Sequence, residues 1–210
     1  MPPDPRHDAR RNAPAALRNR DPILDVLRAH LSPGGSILEI ASGSGQHVIH
    51  FAAALTDHIF HPSDPDETAR ASIDAWISDS GLPNVRPALA LDAAATQWPI
   101  AAADAVLCIN MIHISPWASA CGLFQGAAKI LPRGGLLYLY GPYKRGGVHT
   151  APSNADFDAS LRMQNPDWGV RDLEAVETLA RDNGFGPPDI VAMPANNLSL
   201  LFRLERELAR

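Results

Sequence analysis

Cysteine is one of the rarest residues in this chain: only Cys108 and Cys121 occur among its 210 residues. Both stand in apolar stretches and form no Cys-x-x-Cys pair, so we expect buried, reduced thiols rather than a disulfide framework. A single α/β domain of this length buries roughly 70% of the surface of its unfolded state and needs no cross-link or structural metal. Scarce cysteine therefore favours a reducing compartment.

Long apolar runs are missing as well. No run approaches the ~18 residues that a membrane-spanning helix needs, and the N-terminal MPPDPRHDARRNAP lacks the apolar core of a secretion signal. We therefore expect a cytoplasmic protein with no membrane partner. The formal net charge is −5, which argues against nucleic acid as a partner. Among the 18 basic residues only Lys129 and Lys144 are lysines, a bias without functional meaning. The composition leaves the oligomeric state open.

Apolar strand patterns alternate with helical patterns along the chain. Helices are predicted at 21–31, 46–55, 67–80, 117–131 and 172–183, and strands at 36–41, 58–63, 85–91, 104–110, 136–140, 189–193 and 198–204. This alternation predicts an α/β fold with a doubly wound, mostly parallel sheet of seven strands and a C-terminal antiparallel hairpin. Residues 1–20 are predicted to form an N-terminal arm, partly mobile or a lid, in front of a single domain at 21–210.

The segment LEIASGSGQH, residues 38–47, carries the strongest functional signal. Its glycines follow an apolar strand directly, where a chain without Cβ atoms can turn tightly and approach a ligand. Val48 stands where the dinucleotide fingerprint needs a small residue, and no Gly-Lys-Ser/Thr follows, which disfavours pyrophosphate and P-loop chemistry. An acidic residue at a strand end suits a cationic ligand. The residues predicted here to bind a cofactor are Glu39, Ala41, Gly43, Gly45 and His47.

Polar residues also follow the next strands. Asp64 stands about twenty residues beyond the glycines, the spacing of a ribose-binding acid, and a carboxylate accepts two hydrogen bonds from a diol. Asp66 competes for this role, and Asp64 could instead cap the following helix. Asn110 and Met111 are predicted to lie beside the cofactor, because ligands of such sheets bind at the carboxyl ends of the strands.

The chain beyond the fourth strand contains candidates for chemistry on an acceptor. His113 could act as a base near neutral pH, followed by Tyr140 or Tyr143. A satisfied, partly buried histidine is the alternative for His113. Residues 142–171 are predicted to form a substrate-lid insertion with a short helix near 154–163, or else a decorative surface insertion. The residues predicted to bind the acceptor are Trp117, Tyr140, Asn154, Arg171, Asn196 and Asn197. The spacing of the histidines and carboxylates predicts no metal site.

Seven strings along the chain resemble one family in the same order: LEIASGSGQH, PSD, INMIHISPW, YGPY, SNADFDASLR, WGVRDLE and MPANNLSLLFR. This is the family of small methyltransferase-like 26 proteins, and the resemblance extends from about Arg18 to Arg203. It implies a class I methyltransferase fold and S-adenosylmethionine as the cofactor, with the glycine loop facing its amino-acid part. It implies no acceptor. Ala41 departs from the usual first glycine of the motif, and HIFHP at 58–62 departs from the expected Trp and Gln.

The resemblance implies further cofactor contacts. Class I methyltransferases often place an acid at the position of Asp92 to bond the adenine amino group, and Ala93 beside it could offer a backbone N–H to the ring. The segment with Arg18 and Asn19 is expected to fold over the cofactor, where the Arg18 guanidinium would pair with its carboxylate. A solvated basic tail is the alternative.

The sequence therefore predicts an S-adenosylmethionine-dependent methyltransferase acting on a small-molecule acceptor, whether thiol, phenol or amine. The alternative is a cofactor-binding protein with a regulatory or scaffold role and no transfer activity. A third possibility, an NAD-dependent oxidoreductase, is disfavoured by Val48 and Ala41.

Overall fold

The computed structural model describes residues 9–205, so the outer parts of the predicted arm and of the C-terminus lie outside the described residues. The helices of this part are α1 (Pro14–His30), α2 (Gln46–Ala54), α3 (Glu67–Ser80), α4 (Trp117–Ile130), α5 (Pro152–Gln164) and α6 (Leu173–Asp182). The strands are β1 (Gly35–Ile40), β2 (His58–Asp64), β3 (Leu89–Ala90), β4 (Ala105–Ile109), β5 (Leu136–Gly141), β6 (Lys144–Arg145), β7 (Val148–His149), β8 (Asp189–Met193) and β9 (Asn197–Arg203). None of the described helices is long and apolar enough to cross a membrane.

Within the described residues, seven strands form one sheet in the order β3-β2-β1-β4-β5-β9-β8. The first five are parallel, and β9 runs antiparallel between β5 and β8. This confirms the predicted doubly wound, mostly parallel sheet with a C-terminal antiparallel hairpin. Because β1 pairs with β2 on one side and with β4 on the other, the strand order reverses at β1, and a crevice for ligands opens at its carboxyl end.

Helices cover both faces of this sheet. On one face α4 and α6 pack around Phe124, which makes edge contacts with Phe185 and Phe202. On the other face α1, α2 and α3 pack around the fully buried Phe51 and Phe60. The sequences AVLCI of β4 and LLYLYG of β5 are buried almost throughout, as strands covered on both faces must be.

Helix α1 begins at Pro14, so the predicted start at residue 21 was wrong. Proline is well suited to the first turn because its missing N–H would have no intrahelical partner there. Pro22 lies inside the helix and does not end it. The apolar face of α1 already includes Ala16, which is buried. Residues 14–20 are therefore helical, and Ala16 packs on the domain.

The predicted third strand at 85–91 is reduced to Leu89–Ala90. Val85 contributes only an isolated bridge to Phe60 of β2. Pro87 lies between these two points and has no N–H to donate to a strand ladder, which breaks the pairing at this edge of the sheet.

The insertion between β5 and α6 is ordered and contains the helix predicted near 154–163, as α5. Its buried carboxylate, Asp158, accepts a hydrogen bond from the backbone N–H of Val170. The same carboxylate lies 3.2 Å from Arg162 Nε and 3.4 Å from His149 Nε2. Burial alone would raise the pKa of Asp158, but these donors and the Lys144 ammonium hold it below its ordinary value. Asp158 thus fixes α5 to the β6–β7 hairpin and to the chain before α6.

Gly45, which precedes α2, allows a direct test of how closely α3 packs. Gly45 has a φ of +90°, and a Cβ there would lie 2.9 Å from the Cα of Ile73 in α3. We expect Gly45→Ala to lower the free energy of unfolding by about 3 kcal/mol, because left-handed strain of ~1–2 kcal/mol adds to an overpacking cost of ~1–3 kcal/mol. Urea unfolding monitored by circular dichroism measures this difference.

Gly81 is the matched control for that experiment. It also has a positive φ, +62°, but a Cβ there would meet no atom within 4 Å. Gly81→Ala should therefore cost only the backbone strain, ~1–2 kcal/mol. Equal losses for the two variants would contradict the close approach of the glycine loop to α3.

Candidate active site

The glycine loop lies at the carboxyl end of β1, where the strand order reverses. Ala41, Gly43 and Gly45 all have positive φ, +55°, +59° and +90°. Ala41 stands where the motif usually has its first glycine. A residue with a Cβ therefore adopts a backbone conformation here that favours glycine. Ser42 donates its backbone N–H to the carbonyl of Ser63, which ties the loop to β2.

Glu39 is almost completely buried beneath this loop. Its Oε2 has no hydrogen-bond partner among the described residues. Burial, together with the nearby charge of Asp64, raises the pKa of Glu39 to about 8, although a hydrogen bond with Ser42 acts in the opposite direction. An unpartnered carboxylate oxygen at this depth is costly unless a ligand satisfies it, and a bound cation would do so.

Asp64 is buried at the end of β2 and faces the glycine loop. Its Oδ2 accepts the backbone N–H of Gly43 at 3.0 Å, and its Oδ1 accepts the N–H of Asp66 at 3.0 Å. The cap of α3 is Asp66, which accepts from the N–H of Thr68. The alternative that Asp64 caps this helix is therefore wrong, and Asp64 is free to accept further donors with its remaining lone pairs.

The predicted adenine contacts lie beyond the short strand β3. Asp92 is exposed, and its Oδ1 accepts the backbone N–H of Ala94 at 2.9 Å. Ala93 is buried, with its carbonyl oxygen against Gly122 of α4. Both residues lie beyond β3 at the carboxyl end of the sheet, and their predicted adenine contacts stay predictions.

The segment before and within α1 packs beside the glycine loop. The backbone N–H of Ala13 donates to Gln46 Oε1, and the indole N–H of Trp76 donates to the carbonyl of Arg11. Further along α1, Asn19 Oδ1 lies 2.8 Å from His47 Nε2 in the first turn of α2. Burial and the neighbouring charges of His50 and Arg20 lower the pKa of His47 to about 4, so this imidazole is neutral.

A cavity of about 550 Å³ lies at the same edge of the sheet, bounded by α1, the ends of β4 and β5, α5 and the turn before β9. Its lining includes predicted site residues from five separate parts of the chain: Arg18, Asn19, Asn110, Tyr140, Asn154 and Asn197. The other lining residues are Ala15, Pro142, Ser153, Phe157, Pro194 and Ala195. The structure therefore brings together residues predicted for the cofactor and for the acceptor.

Sequence reasoning missed Ala15 and Pro194 as lining residues. Both are small or apolar residues without chemistry of their own, so no motif marked them. The signal that could have revealed Ala15 was Pro14, because proline favours the first turn of a helix and would have moved the start of α1 forward.

Asparagines close one wall of the cavity by holding a turn. Asn154 Nδ2 donates to the carbonyl of Asn196 at 3.0 Å, and Asn196 Nδ2 donates to Ser153 Oγ. Asn197 Nδ2 donates to the carbonyl of Pro194 at 3.0 Å. Ala195 and Asn196 both have positive φ. Asn196 therefore stabilises the wall, whereas Asn197 both lines the cavity and supports the turn.

His113 lies outside the lining of the cavity and is fully buried. Its Nδ1 accepts the backbone N–H of Arg171 at 3.3 Å, and its carbonyl accepts the N–H of Gly169. Burial, with the charge of Arg171, lowers the pKa of His113 to about 3. The imidazole is therefore neutral and lies outside the residues that line the cavity, and its Nε2 has no hydrogen-bond partner among the described residues. The predicted role of His113 as a base stays a prediction. The structure agrees with a buried histidine that joins β4 to the insertion.

Tyr143 does not reach the cavity either. Its ring packs edge-on against His113 with 5.0 Å between ring centroids, and its hydroxyl has no hydrogen-bond partner among the described residues. Burial raises the pKa of Tyr143 well above its ordinary value. The predicted role of Tyr143 as a second candidate base stays a prediction, which this burial does not support.

The Arg171 side chain packs against Trp117 and against the backbone that follows β4. The Arg171 guanidinium donates to the carbonyls of Ile112 and Ser115 and lies over the Trp117 ring, 5.6 Å from its centroid. Met111, in a 3-10 turn, packs against the core and accepts a hydrogen bond from Ser115 Oγ at its sulfur. Both side chains fasten the insertion to the chain after β4, and their predicted acceptor contacts stay predictions.

Among the described residues, no group of three or more His, Cys, Asp or Glu side chains is placed to hold a metal ion.

Cys108 is buried and Cys121 partly buried, and both are free thiols. Burial raises the pKa of Cys108 to about 12, which keeps this thiol protonated.

Comparison with solved structures places the chain in the class I methyltransferase fold. An O-methyltransferase family protein from Burkholderia thailandensis superposes with a TM-score of 0.78 and 17% identity, over 92% of this chain and 58% of that chain. An O-methyltransferase family 2 protein from Planctomyces limnophilus, complexed with apigenin, gives 0.77 and 18% over 90% and 57%. Human N-acetylserotonin methyltransferase, complexed with S-adenosylmethionine, gives 0.77 and 12% over 91% and 53%. This chain thus spans little more than half the length of these proteins.

The family itself is defined by sequence. Residues 10–204 match the model of a family described as "protein of unknown function (DUF938)", and the chain belongs to that family.

The buried Glu39 makes stability depend on pH in a definite direction. Because its folded pKa is raised to about 8, its contribution to stability is fully present below its ordinary pKa and is lost as the pH rises through 8. We expect the ligand-free protein to lose about 3–4 kcal/mol relative to Glu39→Gln between pH 5 and pH 8. Urea unfolding of both proteins at a series of pH values measures this difference.

Glu67→Gln, an exposed position at the start of α3, is the control and should leave the pH dependence unchanged. If the free energy of unfolding of Glu39→Gln varied with pH in parallel with that of the unmodified protein, Glu39 would be ionised in the folded state.

Proposed function

We propose that this chain is an S-adenosylmethionine-dependent methyltransferase that acts on a small-molecule acceptor. The observation that carries the proposal is the adjacency of two features at one sheet edge: the glycine loop over the unpartnered Glu39 carboxylate, and the cavity of about 550 Å³. The fold neighbours include methyltransferases solved with S-adenosylmethionine and with S-adenosylhomocysteine. The finer resemblance to methyltransferase-like 26 proteins supports the same activity.

The residues around the loop fit this cofactor. Glu39 would accept a hydrogen bond from the cofactor ammonium, and Asp64 would accept the ribose hydroxyls with the lone pairs that Gly43 and Asp66 leave open. We propose that Asp92 and Ala93 border the adenine. Arg18, in the cavity lining, has no ion pair among the described residues and would pair with the cofactor carboxylate.

Methyl transfer from a sulfonium is an in-line displacement, so catalysis depends mainly on holding the acceptor against the methyl group. The cofactor supplies an electrophilic methyl group when bound. The described residues that line the cavity include no carboxylate and no imidazole. We therefore propose that the acceptor attacks with a lone pair that needs no protein base, and that Pro142 and Phe157 hold its apolar body.

The alternative function, a cofactor-binding protein without transfer activity, has no specific observation in its favour.

We also propose that the chain works in the cytoplasm, since its thiols are free.

Cofactor binding is tested by calorimetry with S-adenosylhomocysteine. We expect one site per chain and a loss of about 10- to 100-fold in affinity for Asp64→Ala, which corresponds to ~1.5–3 kcal/mol for hydrogen bonds to a charged group. Part of this loss reflects the freed Gly43 N–H, because Asp64 also holds the loop.

Asp66→Ala is the control, because Asp66 caps α3 without contacting the loop. It should lower stability and leave affinity within about twofold, a fraction of a kcal/mol. Unchanged affinity for Asp64→Ala, or equal losses for the two variants, would remove Asp64 from the cofactor site.

A further inference from the structure

Asn154 of α5 lines the cavity although its side chain is largely buried, with 4% of the residue exposed. Its Nδ2 donates to Thr150 Oγ1 at 3.1 Å and to the carbonyl of Asn196 at 3.0 Å. Both hydrogens of this amide nitrogen are therefore used inside the protein, and neither is left for a ligand.

The chemistry of these two partners fixes which way the Asn154 amide points. The carbonyl of Asn196 can only accept. The Thr150 hydroxyl donates its hydrogen to the carbonyl of Tyr143 at 3.3 Å, so its oxygen is left to accept as well. The amide atom that faces both partners must be the nitrogen, and Oδ1 takes the other position.

Oδ1 of Asn154 has no hydrogen-bond partner among the described residues, yet it is not one of their fully buried unpartnered atoms. It therefore keeps accessible surface, and the cavity is the space that this buried residue borders. A ligand in the cavity meets an oriented acceptor with free lone pairs. Such a position favours a ligand that carries an N–H or O–H donor.

The position of Asn154 in the fold assigns this ligand to the acceptor side of the site. Asn196, to which Asn154 is bonded, directly precedes β9, and β9 lies three places from β1 in the sheet. Three strand spacings amount to roughly 14 Å. The cofactor contacts proposed for Glu39 and Asp64 lie at β1 and β2, on the side of the sheet away from β9.

The charge of the cavity narrows the ligand further. Among the described lining residues, Arg18 is charged and no carboxylate is present. An aliphatic amine is a cation at neutral pH and would have no counter-ion here, and a phenol or alcohol would need a base to expose its nucleophilic form. A neutral aromatic amine has an N–H for Oδ1 and a lone pair that needs no base.

We propose that Asn154 Oδ1 accepts a hydrogen bond from an N–H of the acceptor, and that the acceptor is a neutral aromatic amine. The proposal rests on the proposed methyltransferase function and specifies its substrate class. The nitrogen lone pair forms the bond to the methyl carbon while the bond between that carbon and sulfur breaks, with its electron pair left on sulfur. The surplus proton on the weakly basic nitrogen passes to water.

The test uses aniline and toluene, in which an amino group replaces a methyl group of similar size. Their affinities are measured by calorimetry for the full chain saturated with S-adenosylhomocysteine, and the ratio of the two is compared between variants. This comparison cancels the different hydration of the two probes. We expect Asn154→Leu to shift the ratio by about tenfold against aniline, because one hydrogen bond is lost and an N–H is left unpartnered.

Asn196→Gly is the matched control. It removes the hydrogen bond from Asn196 Nδ2 to Ser153 Oγ but keeps the carbonyl to which Asn154 donates. Glycine also adopts the φ of +58° at this position without strain. This variant loosens the wall for both probes alike, so the ratio should stay within about twofold.

NMR of the unmodified protein gives a second measurement that needs no variant. Aniline should shift the side-chain ¹⁵N resonance of Asn154, whereas toluene should not. The proposal is overturned if Asn154→Leu leaves the ratio unchanged, if Asn196→Gly shifts it equally, or if only toluene moves the resonance. It is also overturned if a protein that binds S-adenosylhomocysteine binds neither probe.

Failure of the proposed function is distinguished by the absence of S-adenosylhomocysteine binding. The orientation of the Asn154 amide is then tested separately by hydrogen exchange in the ligand-free protein. The expected result is slow exchange of both Nδ2 hydrogens, since both are bonded inside the protein. Fast exchange would show that Oδ1 is not held toward the cavity.

Discussion

The geometry of this site depends on how β2 holds one short stretch of backbone, residues 41–45. Three of its residues have positive φ, and one of them, Ala41, has a Cβ, which costs of order 1 kcal/mol or more. The N–H of Ser42 to the Ser63 carbonyl and the N–H of Gly43 to Asp64 offset this cost. Because the loop is fixed in this way, Glu39 is buried beneath it with one oxygen unpartnered.

The acceptor side of the site is assembled from long-range contacts. The cavity is lined by residues of α1, β5 and α5, and no two of these elements are consecutive in sequence. Asp158 and Arg171 hold the insertion in place by hydrogen bonds to backbone groups. The hydrogen bond between His47 and Asn19 joins this assembly to the first turn of α2, directly after the glycine loop.

The parts of the fold and site that sequence predicts well are those set by local pattern. The apolar runs of β1, β4 and β5, the glycines after β1 and the asparagine turn before β9 are all visible in short windows. The confirmed sheet follows from these patterns, and with it the edge at which Asp64, Asn110 and Tyr140 lie.

The surroundings that sequence could not predict are those of residues that contact the insertion. His113 and Trp117 follow β4, where an exposed loop is the ordinary expectation. The backbone N–H of Arg171, 58 residues further along the chain, occupies the imidazole and buries it, and the Arg171 side chain covers Trp117. No periodicity in the sequence encodes that contact. The predicted start of α1 was wrong for a simpler reason. Pro22 was taken as the beginning of a helix, whereas α1 begins at Pro14 and continues through Pro22.

The central claim, that a cofactor is held by the loop between β1 and α2, is tested most directly by titrating S-adenosylhomocysteine into ¹⁵N-labelled protein and following the backbone amide resonances. The account predicts that the largest shifts cluster at residues 41–47 and 63–66 and at the ends of β3 and β4. The cavity of about 400 Å³ at the opposite end of the sheet, lined by Gly35 and Leu136, is an internal reference and should show none. Shifts centred on that cavity, or no shifts at saturating ligand, would contradict the account.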